Sequence, residues 1–321
     1  MTRLPAFCFP CIPAAMPTPP HLKGVLLALT GIILLSPDTL LVRMLDMEQW
    51  PLQFYRGSGT ALALFVGMAV AYRSRAWSML KAVGGVGLAT AFAYAMSTIL
   101  FISALYLTSV ANTLAIISTA PLFGSLFSRL ALKEKLPVRT WVAACLAVGA
   151  VGIIVAGDIG GATSHLIGDL VALAQAMFMA GGFVLIRSRP KVNMVPCMAL
   201  SGLLVALFSF PLTDSLHVAP EQAALLGLLV LVVLPVSFAL LFLAPRYIPA
   251  PEVSMIMLLE MVLGPLLVWT ILGEAISLHT LVGGGLLFAI VCAHSALALG
   301  RGPFSRSATG FQSRIPPFRN R

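Results

Sequence analysis

The sequence predicts an all-α integral membrane protein: ten transmembrane helices built as two inverted five-helix repeats. Three observations predict it. Hydrophobic residues make up 59% of the chain and charged residues 10%, with a mean hydropathy of +1.00, whereas soluble domains carry roughly 25% charged residues. The basic residues fall on alternate loops. The two halves resemble each other in register. A water-soluble fold has no means of hiding so much apolar surface.

A helix needs about 20 mostly apolar residues to cross the ~30 Å hydrocarbon core. Ten segments meet that requirement, at 24–45, 51–72, 82–105, 109–131, 138–157, 167–187, 193–213, 223–244, 253–272 and 279–299. The first follows a tail with six prolines (Pro5, Pro10, Pro13, Pro17, Pro19, Pro20) and no uninterrupted apolar run, so the tail is neither signal peptide nor helix. Met16 is an alternative start. Pro37, Pro121, Pro235 and Pro265 are expected to kink or break the first, fourth, eighth and ninth spans, freeing backbone groups that must find partners inside the protein. Gly84, Gly85, Gly149, Gly152 and Gly283 to Gly285 are expected at close helix contacts.

With a cytoplasmic N-terminus, every Lys and Arg except Arg43 and Arg56 falls on the cytoplasmic side, as the positive-inside rule requires. The opposite loops carry Asp46, Glu48, Asp158, Asp214, Glu221 and Glu274 and neither Lys nor Arg. Both termini are therefore expected in the cytoplasm, residues 158–166 outside, and the chain in the inner (cell) membrane.

Sliding the chain against itself pairs His21 with His165, Gly24 with Gly168, Leu41 with Leu185 and Arg43 with Arg187. A nearby register pairs Gly124 with Gly264, Glu134 with Glu274, Thr140 with Thr280 and Leu146 with Leu286. The Arg and Glu pairs carry more weight than apolar ones. Each half holds five helices, an odd number, so the halves lie in opposite senses in the membrane. Such repeats place a substrate near the midplane where they meet. The expected organisation is a disordered Pro-rich cytoplasmic tail (1–22), a first repeat (23–157), a second repeat (165–300) and a basic cytoplasmic tail (301–321).

Three stretches carry a resemblance: SPDTLLVRM followed by FYRG; ALYLTSVANTLAIISTAPLFGSLFSRLALKEKL; and, in the second half, APEVSMIMLLEMVLGPLLVWTILGEAISLHTLVGGGLLFAIV. Over about residues 22–300 the chain resembles the drug/metabolite transporter superfamily, in its ten-helix EamA-type branch. The spacing from Pro121 to Glu134 looks like that family's repeat signature. In the second copy Met261 stands where the family usually has proline, and Pro265 follows one turn later. The resemblance implies export of amino acids, their derivatives or other small metabolites.

Charges inside a bilayer are costly, about 2.5 to 3.5 kcal/mol each at a helix centre, and mark function or structural pairing. Asp38 and Arg56 each lie roughly 8 to 10 Å below the outer ends of their helices at 1.5 Å per residue, so they are expected to meet as an ion pair or gate. Arg43 is expected to snorkel to the outer headgroups. Glu260 lies roughly 10 Å from the cytoplasmic end of the ninth span, with no Lys or Arg expected at its depth. It is a candidate to bind the amino group of a zwitterionic or cationic solute, to take up a proton, or to bond between helices. Thr90, Tyr94, Ser97, Thr98 and Phe101 fall within about 100° of arc on the third helix. They are cavity-lining candidates, against the alternative that their hydroxyls bond neighbouring helices. Asn112 and Thr119 on the fourth helix, and Met257 and Met261 beside Glu260, complete the candidate cavity.

No catalytic residues are assigned. No HExxH, nucleophile elbow or P-loop occurs, so the chain is read as a non-enzyme that moves its solute by alternating access without ATP hydrolysis. An integral-membrane enzyme or a receptor or scaffold is the alternative. No cofactor or metal is expected: Cys8 and Cys11 form a lone CxxC with no second Cys or His pair. The expected partners are a small-molecule substrate and the lipid bilayer. A homodimer is compatible with the sequence, and nucleic acid is excluded because the basic residues form no face interleaved with aromatics.

Overall fold

The computed structural model describes residues 20–73, 83–132, 138–158, 163–188, 195–244, 247 and 256–300. The tail CxxC and Glu134 lie outside the described residues, as does the side chain of His294. Among the described residues the helices group into ten spans. The first is α1 (Pro20–Leu35) with α2 (Pro37–Leu45), the second α3 (Gln49–Tyr72) and the third α4 (Gly84–Leu107). The fourth joins α5 (Val110–Ile117) to α6 (Ala120–Leu132), and α7 (Val138–Asp158) closes the first repeat. In the second repeat follow α8 (Thr163–Ser188), α9 (Val195–Ser209) and α10 (Pro220–Leu228), which continues through a π-helical turn, Leu229–Val233, into α11 (Leu234–Leu243). The last two spans end in α12 (Leu259–Leu272) and α13 (Leu278–Gly300).

Five of these spans, three of them composed of two helices end to end, are long and apolar enough to cross a membrane, and others are shorter apolar segments. Leu62, Val66 and Val70 on α3, Val148 on α7 and Leu281 on α13 are exposed. A lipid-facing surface accounts for such a coat.

The breaks follow a local logic. Pro37 begins α2 with Asp38 beside it in the first turn, and the chain turns at Ser36, whose hydroxyl donates to the Ile32 carbonyl (2.8 Å). A proline at that place gives up no needed donor. The fourth span breaks at Ser118 and Thr119, and the ninth at Leu258. These are equivalent positions in the register that pairs Glu134 with Glu274. Pro265, expected to disrupt the ninth span, instead lies inside continuous α12; the interruption falls two turns earlier, where the first repeat has its own.

Packing repeats the same symmetry. The α4–α8 contact of spans three and six has its counterpart in α1–α11, spans one and eight. The α3–α9 and α7–α13 contacts join spans two and seven, and five and ten. The largest core runs through the centre, with Ile32, Leu45, Leu52, Ile102, Leu105 and Leu229 essentially without exposure. Close approach comes from glycines other than most of those expected: Gly84, Gly85, Gly149, Gly152 and Gly285 face open space. At Gly57, by contrast, a side chain would stand 2.6 Å from the Gly202 carbonyl oxygen of α9.

Two ends of the bundle are distinguished by charge. One carries Asp46, Glu48, Asp214, Glu221 and Glu274 and is called the acidic end below; Lys23, Arg73 and Arg129 lie toward the other.

Candidate functional site

The structure brings Asp38 of α2 and Arg56 of α3 together. The guanidinium donates through Nη1 to Asp38 Oδ1 and through Nη2 to Oδ2 at 2.9 Å, and both side chains are only 4% exposed. A planar fork against a carboxylate is the geometry that offsets the cost of desolvating two charges. Arg56 Nε and the adjacent Thr39 Oγ1 are buried and have no hydrogen-bond partner among the described residues. Both members of the pair belong to the first repeat.

Glu260 occupies the first turn of α12, just past the turn at Leu258. It is half-buried. Counted from the same end, Glu260 lies about 18 Å below Leu272 and Asp38 about 10 Å below Leu45 at 1.5 Å per residue, so Glu260 stands deeper than the pair. Where α12 packs on α2, a Cβ at Gly264 would be 3.3 Å from Thr39 Oγ1. Asp38 and Glu260 thus share one local design, each in the first turn of a half-helix, the end where the backbone dipole favours negative charge. With all three groups ionised, the cluster carries one negative charge in excess. Met257 packs partly buried against the central core, and the Met261 methyl lies beside Gly284 of α13.

The polar stripe of the third span, α4, divides. Thr90 is fully buried and its hydroxyl donates to the Val86 carbonyl (2.9 Å). Tyr94 stacks edge-on against Phe183 of α8 at 5.8 Å between ring centres and lies over Gly182. Ser97 accepts a bond from Gln175 Nε2 of α8 (3.0 Å). Thr98 and Phe101 are half-buried, and Phe101 packs against the central core. Thr119 donates to the Ile116 carbonyl (2.7 Å) at the break after α5.

Asn112 sits in a second polar cluster, toward the acidic end. Its amide oxygen accepts from the Thr280 hydroxyl of α13, and its Nδ2 lies 3.4 Å from Asp169 Oδ1 of α8. Thr108 Oγ1 donates to the same Asp169 oxygen (3.1 Å). Asp169, 2% exposed, was not among the residues expected from sequence. It stands near the start of its span, where an acid reads as interfacial; its apolar neighbours Ile167, Leu170 and Val171 were the available signal. Gln175, 4% exposed, was missed because an uncharged amide stands out little in an apolar run.

Arg43 departs from expectation. Instead of reaching headgroups, its Nη2 donates to the Thr108 carbonyl (3.1 Å), and its Nε lies 3.4 Å from Glu274 Oε2. Nε makes no aligned hydrogen bond there, so the Glu274 contact is one of charge. Glu274 Oε1 accepts from the Val110 backbone N–H (3.2 Å) at the start of α5. Glu274 thus reaches across to the first repeat.

A family model described as "EamA-like transporter family" matches residues 22–156 and 166–295. A solved structure described as "Crystal structure of protein" superposes with a TM-score of 0.61 at 20% identity. The match covers 87% of this chain and 99% of that one, a likeness of fold. No curated protein matches the chain.

Proposed function

The chain belongs to the EamA-like transporter family, and on that footing we propose that it exports small metabolites, amino acids and their derivatives foremost, by alternating access without ATP hydrolysis. One observation carries this reading: half-helices from opposite repeats, α2 and α12, pack against each other, with the Asp38–Arg56 pair and Glu260 in their first turns or beside them. Interrupted helices at a repeat interface are how membrane carriers present charged groups and free helix ends to a solute at mid-membrane. Asp38 and Arg56 neutralise each other, which leaves Glu260 to receive a positive charge, the ammonium group of a zwitterionic or cationic solute. Met257 and Met261 flank Glu260 in sequence, and flexible thioethers suit solutes of differing shape; Thr98 and Phe101 of α4 remain half-buried candidates for the same path. Tyr94, Ser97 and Asn112 contact neighbouring helices, while Thr90 and Thr119 bond back to their own.

The charge distribution supports a cell-membrane orientation with the acidic end outward and both termini in the cytoplasm. The test is flux of a panel of amino acids, amines and organic anions in proteoliposomes, with wild type and Glu260→Gln. Saturable flux of ammonium-bearing solutes, lowered at least tenfold by Glu260→Gln while organic anions are not carried, is the expected result. Flux unaltered by the substitution would remove Glu260 from the site, and no flux of any solute would count against transport.

A further inference from the structure

In alternating access one group of helices moves against another, and a contact between the interrupted helices of opposite repeats is of the kind that can part. The Asp38–Arg56 pair does not cross between the repeats, and both of its side chains are almost wholly buried. Breaking it would leave two uncompensated charges in a low-dielectric interior, the costly case. It is suited to hold α2 and α3 together.

Contacts at the acidic end do cross. Arg43 of α2 meets Glu274, which follows α12, and Glu274 also holds the Val110 N–H. Farther around the same end Gln222 Nε2 donates to the Leu45 carbonyl (2.7 Å) and Tyr55 Oη to the Leu216 carbonyl (2.6 Å). Among these, the Arg43–Glu274 contact has the properties of a clasp that opens and recloses. Both side chains are 30% exposed, so water takes over their solvation as they part. Partly exposed ion pairs are of modest strength for the same reason. Arg43 lies on α2, which carries Asp38, and Glu274 lies just past the end of α12, which carries Glu260. Glu274 also lines a small cavity with Val110, Ala111, Pro265 and Val268.

We propose that Arg43 and Glu274 are the gating residues at the acidic end, an inter-repeat ion pair that closes the path to the α2–α12 seam and parts when that end opens. The proposal rests on the transport reading for its purpose, but its test needs no substrate. In a background with the native cysteines replaced, Val268→Cys (1% exposed) reports on that cavity and Thr39→Cys (1% exposed) on the seam. Labelling is followed with an impermeant thiol reagent applied from the acidic-end side. Ala172→Cys, fully buried in a separate core cluster, is the control.

Removing one ion pair of this kind shifts a two-state equilibrium by roughly fivefold. Arg43→Gln and Glu274→Gln are therefore each expected to raise the labelling rate of both reporters by about that factor. Arg43→Lys, which keeps the charge, should stay within about twofold of wild type, and Ala172→Cys should remain protected throughout. Equal reporter rates in wild type and both neutralised variants would overturn the proposal. So would equal rises in Arg43→Lys and Arg43→Gln, or labelling of Ala172→Cys, which would show general loosening. Raised reporter rates in a protein that carries no solute of the panel would leave the gate standing and remove the transport reading; flux with unmoved reporters would do the reverse.

Discussion

Asp38 and Glu260 stand in the first turns of α2 and α12, half-helices from opposite repeats that pack against each other, and Arg56 pairs with Asp38. Two carboxylates brought near each other repel, more strongly where water is scarce. Three features make the arrangement tenable: Arg56 engages one carboxylate outright, each acid sits at the favourable end of a helix dipole, and Glu260 keeps part of its surface open.

The Asp38–Arg56 pair should behave as one unit. Asp38→Asn and Arg56→Gln each strand a buried charge and are expected to cost about 3 to 5 kcal/mol of stability. The double variant should cost well below the sum, read from thermal or denaturant unfolding of the purified protein in detergent. Strict additivity would show that the two residues do not act together.

Orientation is checked in intact cells. Ser215→Cys, on the exposed loop at the acidic end, should react with an impermeant thiol reagent, while Arg73→Cys, exposed at the opposite end, should react only after permeabilisation. The reverse pattern would turn the protein over in the membrane.

Ser97 separates lining from packing roles on α4. Ser97→Ala leaves Gln175 Nε2 without its buried partner, so a loss of about 1 to 3 kcal/mol is expected with solute selectivity unchanged. A changed substrate profile at wild-type stability would place Ser97 in the solute path.

Gly57 is the tight point between α3 and α9. Its Cβ would meet the backbone of Ala206 and Gly202 at 2.6 Å, so Gly57→Ala must push two helices apart and should cost about 1 to 3 kcal/mol. Gly67→Ala, on the same helix with nothing within 4 Å, should be neutral or stabilising by up to about 1 kcal/mol. Comparable losses at both sites would deny close α3–α9 packing.

What the sequence by itself determined is what depends on one dimension. Apolar run length counts the spans, prolines and their neighbours mark where spans one and eight are interrupted, and the matched Arg and Glu positions reveal the repeats before any contact is known. Depth also follows from counting, which is why Asp38 and Arg56 could be expected to meet. What only the tertiary structure decided is which polar groups face each other across the repeats. Glu274 reaches Arg43, and Asp169 joins Thr108 and Asn112. The physical reason is that hydrophobicity settles a helix at its depth in the membrane but hardly constrains its rotation or its choice of neighbour among equally apolar helices. Close packing at glycines and the pairing of the few buried polar groups settle those, and both are relations between residues far apart in the chain.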